Sequence, residues 1–499
     1  MKLQYKRIHT LPPLAWLAYV NNGAATVLCG SSVECTDDFF VDGAWNGDFA
    51  NGDFAKSDWF CGTGGRLTDY GIVFSTPSHV TSGLFAASLN EGMLVSNSLH
   101  FLCAYADYHF DPQYLNYEID FNTVLFGIEK YKKEIYTLGK DGLPVDVRVY
   151  YYRNIEIDDE NRVNISVKPK SAPFTVFADY YDRLCGAIGG MIRNAQDNRR
   201  SVWYEPVTTI SRGYDAPCCA AIAKKFDCDT AVTFAPIGKY AEDCGVDVAK
   251  ALGYSHIVER DANAYLQNTK LIEAEAVASG ELGTDFQFSV FDDVFHNKLV
   301  FIGERGDKVW ARKFDSCNDE YAFADFITGI GASERRLWVG YISVPMPLYG
   351  AGTWTSIQKL SQSEEMEPWT LHNRYDRPIP RRICEEAGVA RELFGMEKHG
   401  AGISLRYDWG GRARSRMSET AAKSFSDYVR RHKKAHPAQM LSFFWKAKGI
   451  YLGRLGLHLP GEKSVLEKSQ IANATEARYL FPWASEVIGD RYKKAIFDE

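Results

Sequence analysis

The stretch TTISRGYDAPCCAAIAKKF, residues 208 to 226, places Ser211, Arg212, Gly213, Tyr214 and Asp215 in a tight turn. The turn lies between a β-branched segment and an Ala/Ile/Lys segment of helical character. Pro217 suits an early helical position, where its missing N–H does no harm. First-turn amides of a helix and the amides of a bend point into one space and favour an anion, most often a phosphate. Ser211 adds a hydroxyl. A carboxylate such as Asp215 belongs beside a phosphate only with a divalent cation between them, and carboxylate oxygen is what Mg²⁺ takes. Ser211 and Asp215 also serve as ordinary caps of a turn and a helix, and the local sequence leaves both readings open. A second loop shifts the balance: FIGERGDKVW, 301 to 310, offers Gly303, Glu304, Gly306, Asp307 and Lys308 after another apolar segment. Two carboxylate loops at one sheet edge, facing an anion-binding turn, make a metal–triphosphate site.

Such loops need a rigid frame. VTTI (207 to 210), TAVTFAP (230 to 236) and SHIVER (255 to 260) read as short buried strands, with helical patterns at 216 to 226 and 241 to 252 between them. KLVFIGERGDKVW (298 to 310) supplies another strand that ends in the second loop. This alternation predicts an α/β unit with a parallel sheet, whose ligands sit at the carboxyl ends of its strands. Residues 1 to 175 read instead as a β-rich domain: VDVRVYYYRNIEI (145 to 157) alternates apolar and polar residues, and RVNISVKPK (162 to 170) continues the pattern. A tandem NGDFA within 43 to 65 is too short for a repeat architecture and marks two turns. Past 405 the chain reads as helical. Its basic stretch, 412 to 436, is interrupted by acids and reads as solvated helix faces in preference to a nucleic-acid surface. The expected division is 1–175, 176–405 and 406–499.

Composition sets wider bounds. With 499 residues, 45% of them apolar, the chain has room for two or three packed domains, and a net charge of −7 gives no reason to expect nucleic acid or an anionic membrane. The eleven cysteines are scattered without C-x-x-C spacing, which reads as reduced thiols in a cytoplasmic protein; no compact Cys/His cluster suggests zinc. MKLQYKRIHTLPPLAWLAYV has basic residues before an apolar run, but Pro12 and Pro13 interrupt it and no cleavage site follows. No stretch approaches the roughly 20 apolar residues of a membrane span. A soluble protein is expected, with oligomeric state open.

Three motifs in order make residues 180 to 405 resemble the asparagine synthetase/β-lactam synthetase group of ATP pyrophosphatases. That group's loop S-G-G-x-D-S is matched by Ser211-Arg212-Gly213-Tyr214-Asp215-Ala216, with Thr233-Phe234 following. Its later loop, G-E-G-x-D-E-L-F, is echoed by Gly303 through Trp310. YDRPIPRRICEEAGVARELFGMEKHGA, 375 to 401, resembles its arginine- and lysine-bearing C-terminal lobe. The resemblance implies an adenine-nucleotide-binding synthetase domain using ATP and Mg²⁺. Ser211, Gly213 and Asp215 would contact pyrophosphate and metal, with Arg212, Tyr214 and Gly303 in the same binding set. Asp307 would share the metal; Thr233, Phe234 and Ala235 would lie near the adenosine. Lys398 would neutralise the reacting phosphate, and Glu304 joins the catalytic set. Three positions depart from the pattern. Arg212 replaces a glycine, Ala216 a phosphate-binding serine and Lys308 an acid; Arg212 would compensate for the lost hydroxyl by pairing with phosphate.

The first domain resembles, through GLFAASLNEGMLVSNSLHFLCA (83 to 104), the β-rich glutaminase domain of glutamine-using members. Those begin Met-Cys, so that a freed amine activates its own thiol. Here the chain begins Met1-Lys2-Leu3 and the first cysteine is Cys29, which implies a glutaminase-like shell without that chemistry. Nitrogen would come from ammonia, a substrate amine or a partner. The resemblance thus implies an ATP-dependent ligase that adenylylates a carboxylate on a small molecule or sugar and passes the acyl group to an amine. Surface-polysaccharide or small-molecule biosynthesis is the expected setting. The alternative is a catalytically degenerate nucleotide sensor or scaffold. Elsewhere, TGIGASE (328 to 334) reads as a loop in preference to a dinucleotide fingerprint, Arg335 and Arg336 as surface residues in preference to a clamp for a substrate carboxylate, His256 as a packed or capping residue and Cys218–Cys219 as helix interior.

Overall fold

Strand Trp16–Asn21 turns Trp16, Ala18 and Val20 to one side, and strand Ala24–Cys29 turns Ala25, Val27 and Cys29 to the same side. This is the period-two alternation of side chains along a strand, and Leu17 and Leu28 on the opposite face are buried in a second core. Across from the Trp16 side lie Phe40, Ile72, Phe74, Ile155 and Ile157 of a second sheet. In this computed structural model, which describes residues 1–114, 116–280, 284–321, 333–398, 402–405, 413–433 and 476–497, the two sheets face each other over that core. The seven-stranded sheet runs Lys2–Arg7, Ala24–Cys29, Trp16–Asn21, Gly92–Ser96, Leu84–Leu89, Pro144–Tyr150, Glu134–Leu138, with the first pair parallel. The six-stranded sheet runs Val163–Val167, Arg153–Asp158, Gly71–Ser75, Gly64–Thr68, Phe39–Val41, Glu34–Cys35. The segment 145 to 157, which alternates as one strand, is two. Tyr152 takes φ +53° and redirects the chain, so that Pro144–Tyr150 joins one sheet and Arg153–Asp158 the other.

Helix Phe177–Ala195 follows, burying Phe177, Tyr180, Leu184, Ile188 and Met191 along one stripe. Beyond it lie five parallel strands: in chain order, Glu205–Thr209, Thr230–Phe234, His256–Arg260, Lys298–Ile302 and Ile342–Pro345. Across the sheet they run third, second, first, fourth, fifth. The expected helices appear as Asp215–Lys224 and Val246–Ala251. One face of the sheet (Ala231, Leu299, Phe301, Val344) packs with Cys218, Cys219 and Ile188. The other (Val207, Val232, Phe234, Val300) packs on Phe291 and Phe295.

Past 405, helices Glu419–His432 and Leu480–Phe497 are described, each preceded by a short turn at Arg414–Arg416 and Glu476–Tyr479; 406–412, 434–475 and 498–499 lie outside the described residues, as do 328 to 332. The last helix packs inward, stacking Tyr492 on Phe101 at 5.0 Å. One buried apolar cluster holds residues from Ile8 to Ile496, so the expected three parts share a core. No helix among the described residues is long and apolar enough to cross a membrane.

Candidate functional site

Strand order reverses between the first and fourth parallel strands, and each is followed at its carboxyl end by one of the two glycine-bearing loops. Open α/β sheets place ligands at such a crossing, because diverging connections leave a crevice there. A cavity of about 340 Å³ opens at this point. Ser211, Gly213, Tyr214, Asp215, Thr233, Phe234, Gly303, Glu304, Asp307 and Lys398 all line it. Arg212 and Ala235 are not among its lining residues. The Arg212 guanidinium donates from Nε to the Leu393 carbonyl at 3.3 Å. The Ala235 amide is held by the Arg260 carbonyl at 2.8 Å.

The loops meet at Asp215. A Cβ on Gly306 would lie 2.5 Å from its Oδ1, and one on Gly303 would lie 2.8 Å from the Ala216 nitrogen. Only glycine allows this approach. Asp215 borders the cavity, yet its Oδ1 is enclosed and without a hydrogen-bond partner among the described residues, and burial together with the neighbouring Asp307 carboxylate pushes its pKa up to about 7. Glu304 is pushed up to about 8 by burial and by Asp285, and Asp285 is itself raised by burial. Lys398 Nζ stands 3.3 Å from Asp307 Oδ2, with Lys308 Nζ at 3.8 Å from the same oxygen. Arg377 donates to the Asp307 carbonyl at 2.8 Å.

The 375 to 398 segment closes the turn from outside. Arg381, fully buried, donates from Nη2 to the Tyr214 hydroxyl at 2.7 Å, and the Gly395 amide donates to the Arg212 carbonyl at 2.8 Å. Within the turn, the Gly213 amide donates to Ser211 Oγ at 3.2 Å and the Arg212 amide to the Asp243 carbonyl at 3.3 Å. Among the described residues no side chain caps the helix that starts at Asp215, so its first-turn amides lack that internal acceptor. The opposite wall is apolar: Phe234 packs on Tyr240 at 4.9 Å and Phe288 at 4.7 Å, beside Val232 and Val300. A planar base suits such a wall.

An unpartnered buried carboxylate oxygen beside a second carboxylate is a fit for a divalent cation. Among the described residues no three His, Cys, Asp or Glu side chains converge as a metal cluster. Mg²⁺ does not require one, since it commonly takes one or two carboxylates and completes its shell with phosphate oxygens and water.

Several lining residues were not singled out from sequence: Asp243, Asp285, Arg305 and Tyr375. Asp285 sits in no motif and reaches the site through the bend before Phe286–Phe291; Arg305 takes φ +64°, an unusual conformation for a non-glycine residue that only the fold reveals. Arg335 and Arg336, expected at the surface, are buried. Arg335 pairs with Glu275 at 2.7 Å and with Asp292, and Arg336 with Asp42 at 3.0 Å, because helix Ser333–Val339 runs through the core. Cys218 and Cys219 lie inside the helix packing as expected, and His256 is exposed on its strand.

The class defined by these features is a mixed α/β protein with a β-rich N-terminal region and a five-stranded parallel sheet. Compared with protein-family models and with curated proteins, the chain matches none.

Proposed function

We propose that the protein is an ATP-dependent ligase that activates a carboxylate as its acyl-adenylate and joins it to an amine or ammonia. The observation that carries this reading is the meeting of two loops over Asp215 at the strand-order reversal, with Asp307, Glu304 and Lys398 on the same cavity. In the proposed reaction the carboxylate attacks the α-phosphate, pyrophosphate leaves, and the amine displaces AMP. The uncapped helix start and Ser211 would hold the leaving phosphates, and the aromatic wall around Phe234 would hold the base. Lys398, whose ammonium lies on the Asp307 side of the cavity, would offset charge building on the transferred group. Asp215 and Asp307 would hold Mg²⁺, which supplies charge neutralisation of the phosphates when bound.

A second reading has its own support. Arg212 donates to Leu393 and does not line the cavity, so it does not stand in for the hydroxyl missing at Ala216; this favours a protein that binds nucleotide without turning it over. Calorimetry with ATP and Mg²⁺, followed by a pyrophosphate-release assay over a panel of carboxylic acids with and without ammonium, separates the cases. Amine-dependent release supports the ligase. Binding without release supports the sensor, and no binding overturns both.

A further inference from the structure

Eleven cysteines are free, and two of them touch: Cys29 Sγ and Cys35 Sγ lie 3.7 Å apart, six positions apart in the chain. We propose that Cys29 and Cys35 form a reversible disulfide that staples the two sheets of the N-terminal sandwich. Cys29 ends strand Ala24–Cys29 of the seven-stranded sheet, and Cys35 belongs to strand Glu34–Cys35 of the six-stranded sheet. The contact therefore crosses from one sheet to the other at a corner.

The turn between them is held for this approach. Arg7 donates to the carbonyls of Gly30 at 3.1 Å, Ser31 at 2.6 Å and Val33 at 3.2 Å. Glu34 is anchored by the amides of Ser201 at 2.9 Å and Val202 at 3.0 Å, so the segment cannot swing away to separate the sulfurs cheaply. The two thiols differ in access. Cys29 is fully buried in the sandwich core and Cys35 is partly exposed at its rim. They differ in acidity as well: the hydrogen bond from Cys35 draws the Cys29 thiol below its usual range, helped by Arg7, while Cys35 is raised. One proton shared between two sulfurs is the arrangement that favours a thiolate in the pair.

The oxidant is a small-molecule disulfide. The rim sulfur, Cys35, attacks one of its sulfurs as the shared proton passes to Cys29, and the small thiolate that leaves takes that proton up. The Cys29 thiolate then attacks Cys35 Sγ and expels the second. Two protein thiols and one small disulfide become one protein disulfide and two small thiols. Closing the bond needs the sulfurs to approach to about 2.05 Å, a short movement for side chains already in contact.

The test uses the full chain incubated with oxidised glutathione under native conditions, alkylated, digested with trypsin without reduction and measured by mass. The tryptic peptide 8–56 carries Cys29, Cys35 and no other cysteine. It should appear unalkylated and lighter than its reduced form by two hydrogens, and dithiothreitol should restore two alkylatable thiols. C29S should leave Cys35 carrying a stable glutathione adduct; if C29S fails to fold, the wild-type peptide alone decides. The proposal is overturned if native wild-type 8–56 stays doubly alkylatable, if it retains glutathione on Cys35, or if the bond forms only after urea denaturation.

Discussion

Asp215 and Glu304 carry the clearest consequences at the scale of single residues. A carboxyl whose pKa is higher in the folded chain than in the unfolded chain holds its proton better when folded, so ionising it works against folding. For Asp215, stability is full below the ordinary carboxylate value of 3.8 and declines as pH rises toward about 7. Each unit of such a shift is worth about 1.4 kcal/mol. Asp215→Asn, which removes the charge and keeps the shape, should therefore raise stability at pH 8 by about 1 kcal/mol or more relative to wild type. It should leave stability at pH 4 unchanged, as read by urea titration at both values. The same variant should abolish pyrophosphate release; normal release would remove Asp215 from the mechanism. A cation bound between Asp215 and Asp307 must displace the proton, so ATP–Mg²⁺ affinity should climb from pH 6 to pH 8 with net proton release. Calorimetry in buffers of different ionisation enthalpy measures that release directly, and a flat profile would mean that the raised carboxyls do not meet the ligand.

Among the elements, what matters is how two loops pack. Gly213 belongs to the turn before helix Asp215–Lys224, yet a Cβ there would meet only Ser211 Oγ at 3.4 Å and the Tyr375 hydroxyl at 3.5 Å. Gly303 presses on backbone, with the Ala216 nitrogen and the Asp215 carbonyl carbon both 2.8 Å from an added Cβ. Gly303→Ala should thus cost about 1–3 kcal/mol through overpacking and weaken nucleotide binding, because relief requires the two loops to part. Gly213→Ala should stay within about 0.5 kcal/mol. Thermal melts of both variants check the contrast, and equal losses would mean that the loops are not in the described contact.

For the molecule as a whole, polar ties inside a continuous core decide cooperativity. Asp42, in the loop after Phe39–Val41, accepts from the Thr63 hydroxyl at 2.9 Å and from Arg336 of the α/β part at 3.0 Å, with Asn97 and the Thr63 amide as further donors. Ser98 donates to Glu334 at 2.7 Å, and Tyr492 of the last helix donates to the same carboxylate at 2.8 Å. Removing one partner of a buried ion pair strands the other, so Asp42→Ala should cost about 3–5 kcal/mol. Calorimetry should show a single lowered transition in place of a split one. Two separated peaks would mean that the sandwich and the parallel sheet unfold independently.

Periodicity was enough to read the first, second and third parallel strands and the helix after the first, because short apolar runs closed by Gly, Asp or Pro have few other folds open to them. Residue chemistry also singled out Asp215, Glu304 and Asp307, since acids beside glycines at loop ends have limited structural use; Lys398 rested on the resemblance alone. Sequence could not tell that the 145 to 157 run splits between sheets, that Arg212 faces Leu393, or that Arg335 and Arg336 are buried. Nor could it bring Asp285 to the cavity or Cys29 to Cys35. Local pattern reports what a segment can bury against itself and its solvent. Which distant group neutralises a charge, or lies within reach of a thiol, is set only when separate elements pack, and the tertiary structure alone decides it.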